Sequence, residues 1–281
     1  MKILLLAAVF TILFYAFHRA YKNTKDVIVN RVQAKQKTLQ DECVFNILQL
    51  SDLHLENISI SPEELKHKLQ NESIDLIALT GDFLDRKRTI PKLAPYLQKL
   101  NELAPKYGIY AVFGNHDYVL KDTDLDTLKN MLAEYGVRLL QNENECILVD
   151  GKIVNVIGID DYGTGRSDLA ASYSGLQSGT NLVITHDPNV VLDMEKHHFD
   201  YLMAGHFHGG QICYPKAYHL VKMGKLVRLN MIKGMHVHHG KNFYINEGLG
   251  QTGVNIRIGS RPEITLHQLA LAEEKEIKTA V

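Results

Sequence analysis

The chain has 281 residues, of which 45% are hydrophobic and 22% charged, and its formal net charge is −1. This length and composition are typical of a globular protein, and we expect one catalytic domain. The near-neutral balance argues against a long nucleic-acid-binding surface and therefore against a nuclease. Three widely spaced cysteines indicate neither a disulfide framework nor a cysteine zinc site.

An apolar run, residues 3–17, opens the chain and is followed by Arg19, Lys22, Lys25 and Arg31. The run is shorter than the ~20 residues of a full membrane span, but interfacial aromatic side chains extend it. We predict an uncleaved membrane anchor over residues 1–21. A cleaved signal peptide is the alternative, although no small-x-small cleavage pattern follows the run. The cations after the run favour a catalytic domain on the cytoplasmic face of the membrane.

The rest of the chain alternates between strand and helix patterns. Residues 22–43 are predicted as a polar linker with an edge strand at 27–32, residues 44–270 as the catalytic domain, and residues 271–281 as a polar tail. The predicted strands are 45–50, 75–79, 109–113, 147–149, 153–159, 182–184, 201–204, 243–245 and 264–269. The predicted helices are 62–70, 90–103 and 124–135. Asp150 and Gly151 predict a hairpin between two of the strands.

Polar residues of ligand type follow the predicted strands on five separate loops. They are Asp52, His54, Asp82, Asn115, His116, His186, His206 and His208. A single Asp-x-His or Gly-Asp at a strand end is more often turn chemistry, but the joint occurrence favours metal ligation. This number of oxygen and nitrogen ligands suits two divalent ions better than one, and paired ions are suited to phosphoryl transfer.

The same motifs, in the same order, resemble the calcineurin-like metallophosphoesterase family over about residues 44 to 269. They are Asp52-Leu53-His54, Gly81-Asp82, Gly114-Asn115-His116-Asp117, Thr185-His186 and Gly205-His206-Phe207-His208. The resemblance implies an α/β fold, a four-layer αββα sandwich of two mixed sheets flanked by helices. It also implies a metal-dependent phosphoesterase. A non-catalytic membrane scaffold would have lost ligands, and none of the expected positions is lost.

The family resemblance further assigns a role to each site residue. The residues implied for one metal are Asp52, His54 and His208, and those implied for the other are Asn115, His186 and His206. Asp82 would bridge the two ions, His116 would protonate the leaving oxygen or stabilise charge on the phosphate, and Asp117 would orient His116. Manganese is the expected metal, with iron or zinc as alternatives, because the ligand set mixes carboxylate, carboxamide and imidazole without cysteine.

Two further stretches bear on the substrate. Residues 81–86 are similar to a phosphoprotein phosphatase motif in which Arg86 would grip phosphate, but Lys87 and Asp117 depart from that motif. Two later stretches look like the bacterial membrane-associated phosphodiesterases that include UDP-2,3-diacylglucosamine pyrophosphatases. They are Gly209-Gly210-Gln211, and Gly248-Leu249-Gly250 with Ile256-Arg257 and Pro262-Glu263-Ile264. This likeness implies a lipid-linked phosphodiester or pyrophosphate, with release of UMP and lipid X in lipid A synthesis. A broad-specificity phosphodiesterase and a protein phosphatase are the alternatives.

Residues 216–234 carry several cations and no acidic residue, interleaved with hydrophobic residues. We interpret the stretch as a basic, hydrophobic hairpin attracted to anionic lipid or to a phospholipid-like substrate. Lys222, Lys225 and Arg228 are its predicted substrate contacts. The alternative is a solvated hairpin that covers the core.

Overall fold

The central strands consist mainly of consecutive apolar residues, as in the fully buried strand Leu76–Thr80, which is typical of a sheet covered on both faces. The structure, a computed structural model, describes residues 2–34 and 43–271. Its strands are β1 (Ile28–Gln33), β2 (Cys43–Leu50), β3 (Leu76–Thr80), β4 (Ile109–Val112), β5 (Val137–Leu139), β6 (Glu143–Val149), β7 (Lys152–Ile159), β8 (Thr180–Thr185), β9 (Tyr201–Ala204), β10 (Gly234–His238), β11 (Lys241–Ile245) and β12 (Glu263–Leu271). Its α-helices are α1 (Lys2–Asn23), α2 (Pro62–Leu69), α3 (Leu93–Asn101), α4 (Asp122–Glu134), α5 (Leu169–Ser172) and α6 (Lys225–Arg228).

The strands form two six-stranded mixed sheets, in the orders β1-β12-β2-β3-β4-β5 and β10-β11-β9-β8-β7-β6. One apolar cluster fills the space between the sheets. A second lies between the first sheet and helices α2 to α4, and a third covers the outer face of the second sheet. The predicted α/β sandwich of two mixed sheets flanked by helices is confirmed. Because β2, β3 and β4 are parallel, as are β8 and β9, their carboxyl ends meet at one edge of the sandwich.

The N-terminal helix is 22 residues long and extends past the predicted apolar run. Its last turn packs on the domain, where Ala20 and the following Thr24 are buried. The predicted edge strand is confirmed, since β1 pairs in parallel with β12 at the end of the first sheet. Much of the predicted linker is therefore packed on the domain. Residues 35–42 and 272–281, which include almost all of the predicted polar tail, lie outside the described residues.

Local sequence signals explain several element boundaries. Ser61 caps α2 through a complete capping box with Glu64. The hairpin at Asp150 and Gly151 is confirmed, and both residues have positive φ, 47° and 85°, as a type I′ turn requires.

The hairpin predicted over residues 216–234 is wrong. The stretch forms a 3₁₀ turn at Tyr218–Leu220 and the short helix α6. Leu220, Leu226 and Ile232 are buried in the cluster that covers the second sheet. Because the buried residues are spaced irregularly, the segment lies across the sheet as a covering layer instead of pairing with itself.

Candidate metal centre

The predicted ligands come together at the shared edge of the two sheets. The first sheet supplies loops after β2, β3 and β4, and the second supplies loops after β8 and β9. Three groups have ligand atoms within 4.8 Å of one another: Asp52, His54 and His208; Asp82, His186 and His206; and His54, Asp82 and His116. The first two groups reproduce the two ligand sets implied by the sequence, apart from Asn115.

Asp82 lies between the two groups. Its Oδ2 atom is 3.5 Å from His54 Nε2 and 3.1 Å from His186 Nε2. Its Oδ1 atom accepts a hydrogen bond of 2.8 Å from the backbone N–H of His116. The carboxylate therefore has the position that a ligand shared by two ions needs.

The loops that carry these residues hold strained backbone conformations. Asp52, His54, Asp82, His206 and His208 all have positive φ, between 35° and 78°. Such conformations cost of order 1–3 kcal/mol each in non-glycine residues and cluster at functional sites. Gly114 is needed for close approach, since a Cβ there would lie 2.2 Å from Asp82 Oδ1.

Several buried atoms at the centre make no hydrogen bond within the protein, and this observation tests whether metal ions fit the site. His54 Nε2, Asn115 Oδ1 and His208 Nδ1 are all in this state. His54 Nδ1 lies 2.9 Å from Asp85 Oδ1, and His186 Nδ1 lies 2.9 Å from the Thr80 carbonyl oxygen. Both Nδ1 atoms are thus placed to donate, which leaves the Nε2 lone pairs directed into the centre, as in metal-binding histidines. The donor set fits divalent cations.

The electrostatics favour the ligating forms of the Asp82 carboxylate and the His208 imidazole. Burial raises the pKa of Asp82, but the neighbouring imidazoles, His186 first, lower it below its ordinary value. Burial lowers the pKa of His208 to about 3. Burial also lowers the pKa of His54 and His186, but the neighbouring carboxylates outweigh it and raise both values above the ordinary one. An ionised carboxylate and a neutral imidazole are the forms that bind metal.

The predicted role of Asp117 as the residue that orients His116 is wrong. Its carboxylate is buried beneath the loops and accepts hydrogen bonds of 2.9 Å from the backbone N–H groups of Asp82, Phe83 and Gly114. It holds two ligand loops together by their backbones. The Asp117 carboxylate is thus engaged by backbone N–H donors, and the His116 ring contacts a different carboxylate.

Asp85 contacts the His116 ring instead. Its Oδ1 atom lies 2.9 Å from His116 Nδ1 and 2.9 Å from His54 Nδ1, so one carboxylate orients a proposed metal ligand and the proposed proton donor. Burial lowers the pKa of His116, but the hydrogen bond to Asp85 and the charge of Asp82 outweigh it and raise the value to about 9. Both carboxylates favour the protonated form of His116. The sequence signal for Asp85 was its place in the Gly-Asp-x-x-Asp motif.

Arg257 is a second residue whose role the sequence did not reveal. Its buried guanidinium donates to the backbone carbonyls of Glu247, Gly248 and Gly250 at 2.8–3.0 Å and to that of His208 at 3.4 Å. A Cβ on Gly248 would lie 2.7 Å from Asp52 Cβ, so the clamped loop presses directly on the ligand loop after β2. Arg257 therefore positions the ligand loop after β2 through the neighbouring loop that it holds.

Two cavities adjoin the centre. The lysine cavity, of about 570 Å³, is lined by Asn115, Tyr162, Asp187, His206, Lys222 and Lys225, among others. The apolar groove, of about 250 Å³, is lined by His116, His206, His208, Ile212, Leu220, Met223 and Val254, among others. The two share His206 and Met223. Sequence reasoning missed Tyr162 and Asp187, whose cavity forms only when the loops after β7 and β8 pack together.

The predicted substrate contacts divide between these surfaces. Lys222 and Lys225 line the lysine cavity next to Asn115. Arg228 lines a different cavity with Lys216 and Tyr218. Arg86 is exposed and lines neither the lysine cavity nor the apolar groove. The structure thus brings two of the four predicted cations to the centre.

The clustered residues all lie in a region that matches known proteins. Residues 45–210 match the profile described as calcineurin-like phosphoesterase. A Bacillus subtilis protein, uncharacterized metallophosphoesterase YkoQ, is 63% identical over 253 residues, which cover 90% of this chain and 94% of that protein. Phosphodiesterase YaeI of Escherichia coli is 26% identical and covers 80% of this chain and 82% of that protein. A solved structure of the phosphopantetheinyl hydrolase PptH from Mycobacterium tuberculosis superimposes with a TM-score of 0.46 and 13% identity, over 71% of this chain and 88% of that one.

Replacing Asp85 by Asn tests its positioning role. Because the variant removes the charged partner of both His54 and His116, we expect kcat to fall about 10–100-fold and metal affinity to fall with it. Steady-state kinetics and metal titration measure the two effects. Asp126→Asn, an exposed aspartate on α4, is the matched control and should change neither. Wild-type kcat and metal affinity in Asp85→Asn would contradict the role.

Replacing Arg257 by Met tests whether its guanidinium stabilises the loop that contains Glu247, Gly248 and Gly250. The variant leaves buried carbonyl oxygens without donors, so the free energy of unfolding should fall by about 3 kcal/mol. Chemical denaturation in detergent measures the change. Arg261→Met is the control: Arg261 is half exposed and pairs with Asp26 at 2.8 Å, so its loss should cost less than about 1 kcal/mol. Equal losses in the two variants would rule out a special contribution from Arg257.

Proposed function

The chain belongs to the calcineurin-like phosphoesterase family and is a metal-dependent phosphoesterase, and on that premise we propose that it hydrolyses a lipid-linked phosphodiester or pyrophosphate. The observation that carries the proposal is the contrast between the two cavities. Two lysine side chains line one cavity beside the metal centre, and the other cavity is lined largely by apolar surface. A substrate with a phosphate between a polar head and an apolar chain matches both surfaces.

Two divalent ions, when bound, supply Lewis-acid stabilisation of phosphate charge and an activated water nucleophile. The residues that would hold them are Asp52, His54 and His208 on one side, Asn115, His186 and His206 on the other, and Asp82 between. Manganese is the proposed metal, since carboxylate, carboxamide and imidazole ligands accept it and no cysteine is present in the cluster.

The chain's own residues orient the phosphoester and move the proton. Lys222 and Lys225 attract the negative charge of the polar head in the lysine cavity. His116, whose protonated form Asp85 favours, lies at the apolar groove and donates its proton to the leaving oxygen. The leaving group is therefore the lipid-bearing half of the substrate, and the head leaves as a phosphomonoester. For UDP-2,3-diacylglucosamine, our specific candidate, these halves are lipid X and UMP.

Helix α1 is the proposed membrane anchor. It is long and apolar enough to cross a bilayer, with a mean hydropathy of 1.9, and its last turn is built into the domain. That packing supports an uncleaved anchor over a removed signal sequence. The cations at and beyond its end favour the cytoplasmic face for the catalytic domain.

A broad-specificity phosphodiesterase is the second candidate, because the lysine cavity is open and phosphodiesterase YaeI is a relative. A protein phosphatase is less well supported, since Arg86, the residue expected to grip phosphate in such an enzyme, lies outside both cavities.

Replacing His116 by Gln tests the reaction and the direction of the leaving group together. With bis(p-nitrophenyl) phosphate the leaving group needs little protonation, so kcat should fall only slightly. With an alkyl phosphodiester, kcat should fall about 10²–10⁴-fold, because the leaving oxygen requires the proton. Metal content should stay at the wild-type value in both cases.

The control is His239→Gln, an exposed histidine beyond β10 that should leave both rates unchanged. Equal losses on the two substrates would contradict the acid role. The enzyme proposal itself fails if the manganese-loaded wild type hydrolyses neither UDP-2,3-diacylglucosamine nor either phosphodiester.

A further inference from the structure

Exposed hydrophobic side chains lie on the apolar groove and in the segments next to it in the chain. We define the apolar rim as Ile212, Tyr214, Tyr218, Val221 and Val254, which are between 37% and 82% exposed. Ile212 and Val254 also line the groove itself, so the rim continues directly into it. Tyr214, Tyr218 and Val221 lie within two residues of groove-lining residues, and Tyr218 and Val221 also line the cavity that contains Arg228. Grouped exposed apolar residues mark an interaction site more often than scattered ones do.

The rim is held in place by the core beneath it. Ala217 and Leu220, between its exposed members, are buried against the second sheet. Its first strand-like piece is fixed by hydrogen bonds from Cys213 N to the Ile258 carbonyl, 2.7 Å, and from Ile258 N to the Gln211 carbonyl, 2.8 Å. The hydrophobic side chains thus project from an ordered support.

The base of α1 is joined to this support. The backbone N–H of Arg257 donates to the Ala20 carbonyl at 2.9 Å, and the Asn23 side chain donates to the Arg257 carbonyl at 2.9 Å. Arg257 precedes Ile258, the residue that pairs with the start of the rim. Helix and rim therefore lie on neighbouring parts of one surface.

The helix itself requires an apolar environment. Only 6% of its most apolar 18-residue stretch is buried by the rest of the protein. Its 22 residues span about 33 Å, close to the ~30 Å of a bilayer's hydrocarbon core. A bilayer that covers α1 down to its base comes within reach of the rim.

The charge around the rim matches a lipid headgroup layer. The stretch from Gln211 to Lys233 contains cations and no acidic residue. Anionic headgroups attract such clusters, and tyrosine is enriched at the level where headgroups meet acyl chains. Two of the rim residues are tyrosines, and they are its most exposed members.

We propose that the apolar rim docks on the surface of the bilayer that α1 spans, with the apolar groove opening into the headgroup layer. The inference rests on the anchor and the lipid substrate of the proposed function. A lipid in the same leaflet then passes along the groove toward His116 without leaving the membrane. The lysine cavity, which shares His206 with the groove, receives the polar head.

A tryptophan reporter tests the docking directly, because the chain contains no tryptophan. The full chain carrying Tyr218→Trp is reconstituted into vesicles that contain phospholipids brominated near the top of the acyl chain. We expect its fluorescence to be quenched at least about threefold more than that of Leu148→Trp. Leu148 is similarly exposed but lies on β6, beside the hairpin at the opposite end of the strands. Equal quenching at the two sites would overturn the proposal.

A kinetic experiment distinguishes a failure of membrane docking from a failure of the proposed function. Tyr214→Asp/Tyr218→Asp should lower, at least tenfold, the ratio of the rate on a vesicle-embedded phosphodiester to the rate on bis(p-nitrophenyl) phosphate. The control Val119→Asp/Val237→Asp, at two exposed positions outside the rim, should preserve that ratio. An unchanged ratio in the rim variant would overturn the docking while leaving the phosphodiesterase intact. Quenching without any hydrolysis would instead support docking and refute the proposed function.

Discussion

The structure depends on one buried carboxylate, that of Asp82, held between imidazoles from two different sheets. His54 reaches it from the first sheet and His186 from the second, at 3.5 and 3.1 Å. A buried carboxylate and buried nitrogen atoms without hydrogen bonds are unfavourable unless cations bind them. The strained loops, the glycine at 114 and the Asp117 carboxylate beneath them all serve to maintain this arrangement.

The proposed proton donor and the lysines near the metal centre line different cavities. Asp85 orients His116, which lines the apolar groove, and favours its protonated form. Lys222 and Lys225 line the lysine cavity. Arg257 links the back of the centre to the base of α1, since its guanidinium clamps ligand loops and its backbone binds the helix. The direction in which the groove opens is therefore fixed relative to the anchor. That relation gives the proposed membrane substrate a route to the proton donor.

The sequence could locate the clustered residues because each lies within a few residues of the end of its strand. Strand and loop are adjacent in the chain, and parallel strands bring their carboxyl ends to one edge. The partner of His116 was not predictable in this way. Asp117 is its neighbour in sequence, but the 3₁₀ turn directs that carboxylate into the protein, and Asp85 arrives from another loop.

The sequence also did not predict the structure of residues 216–234, which cover the second sheet, or the short strand β5. Residues 216–234 have neither helical nor strand periodicity, because their hydrophobic residues pack downward on a sheet formed elsewhere in the chain. The strand β5 has three residues, of which one is buried, and such a pattern is too short to detect. Both cases depend on tertiary contacts that no local pattern encodes.

Anomalous diffraction from crystals of the manganese-loaded protein tests the central claim most directly. The account predicts two manganese peaks, both contacting the Asp82 carboxylate. One ion should bind Asp52, His54 and His208, and the other Asn115, His186 and His206. A single ion, or two ions that do not share Asp82, would contradict it.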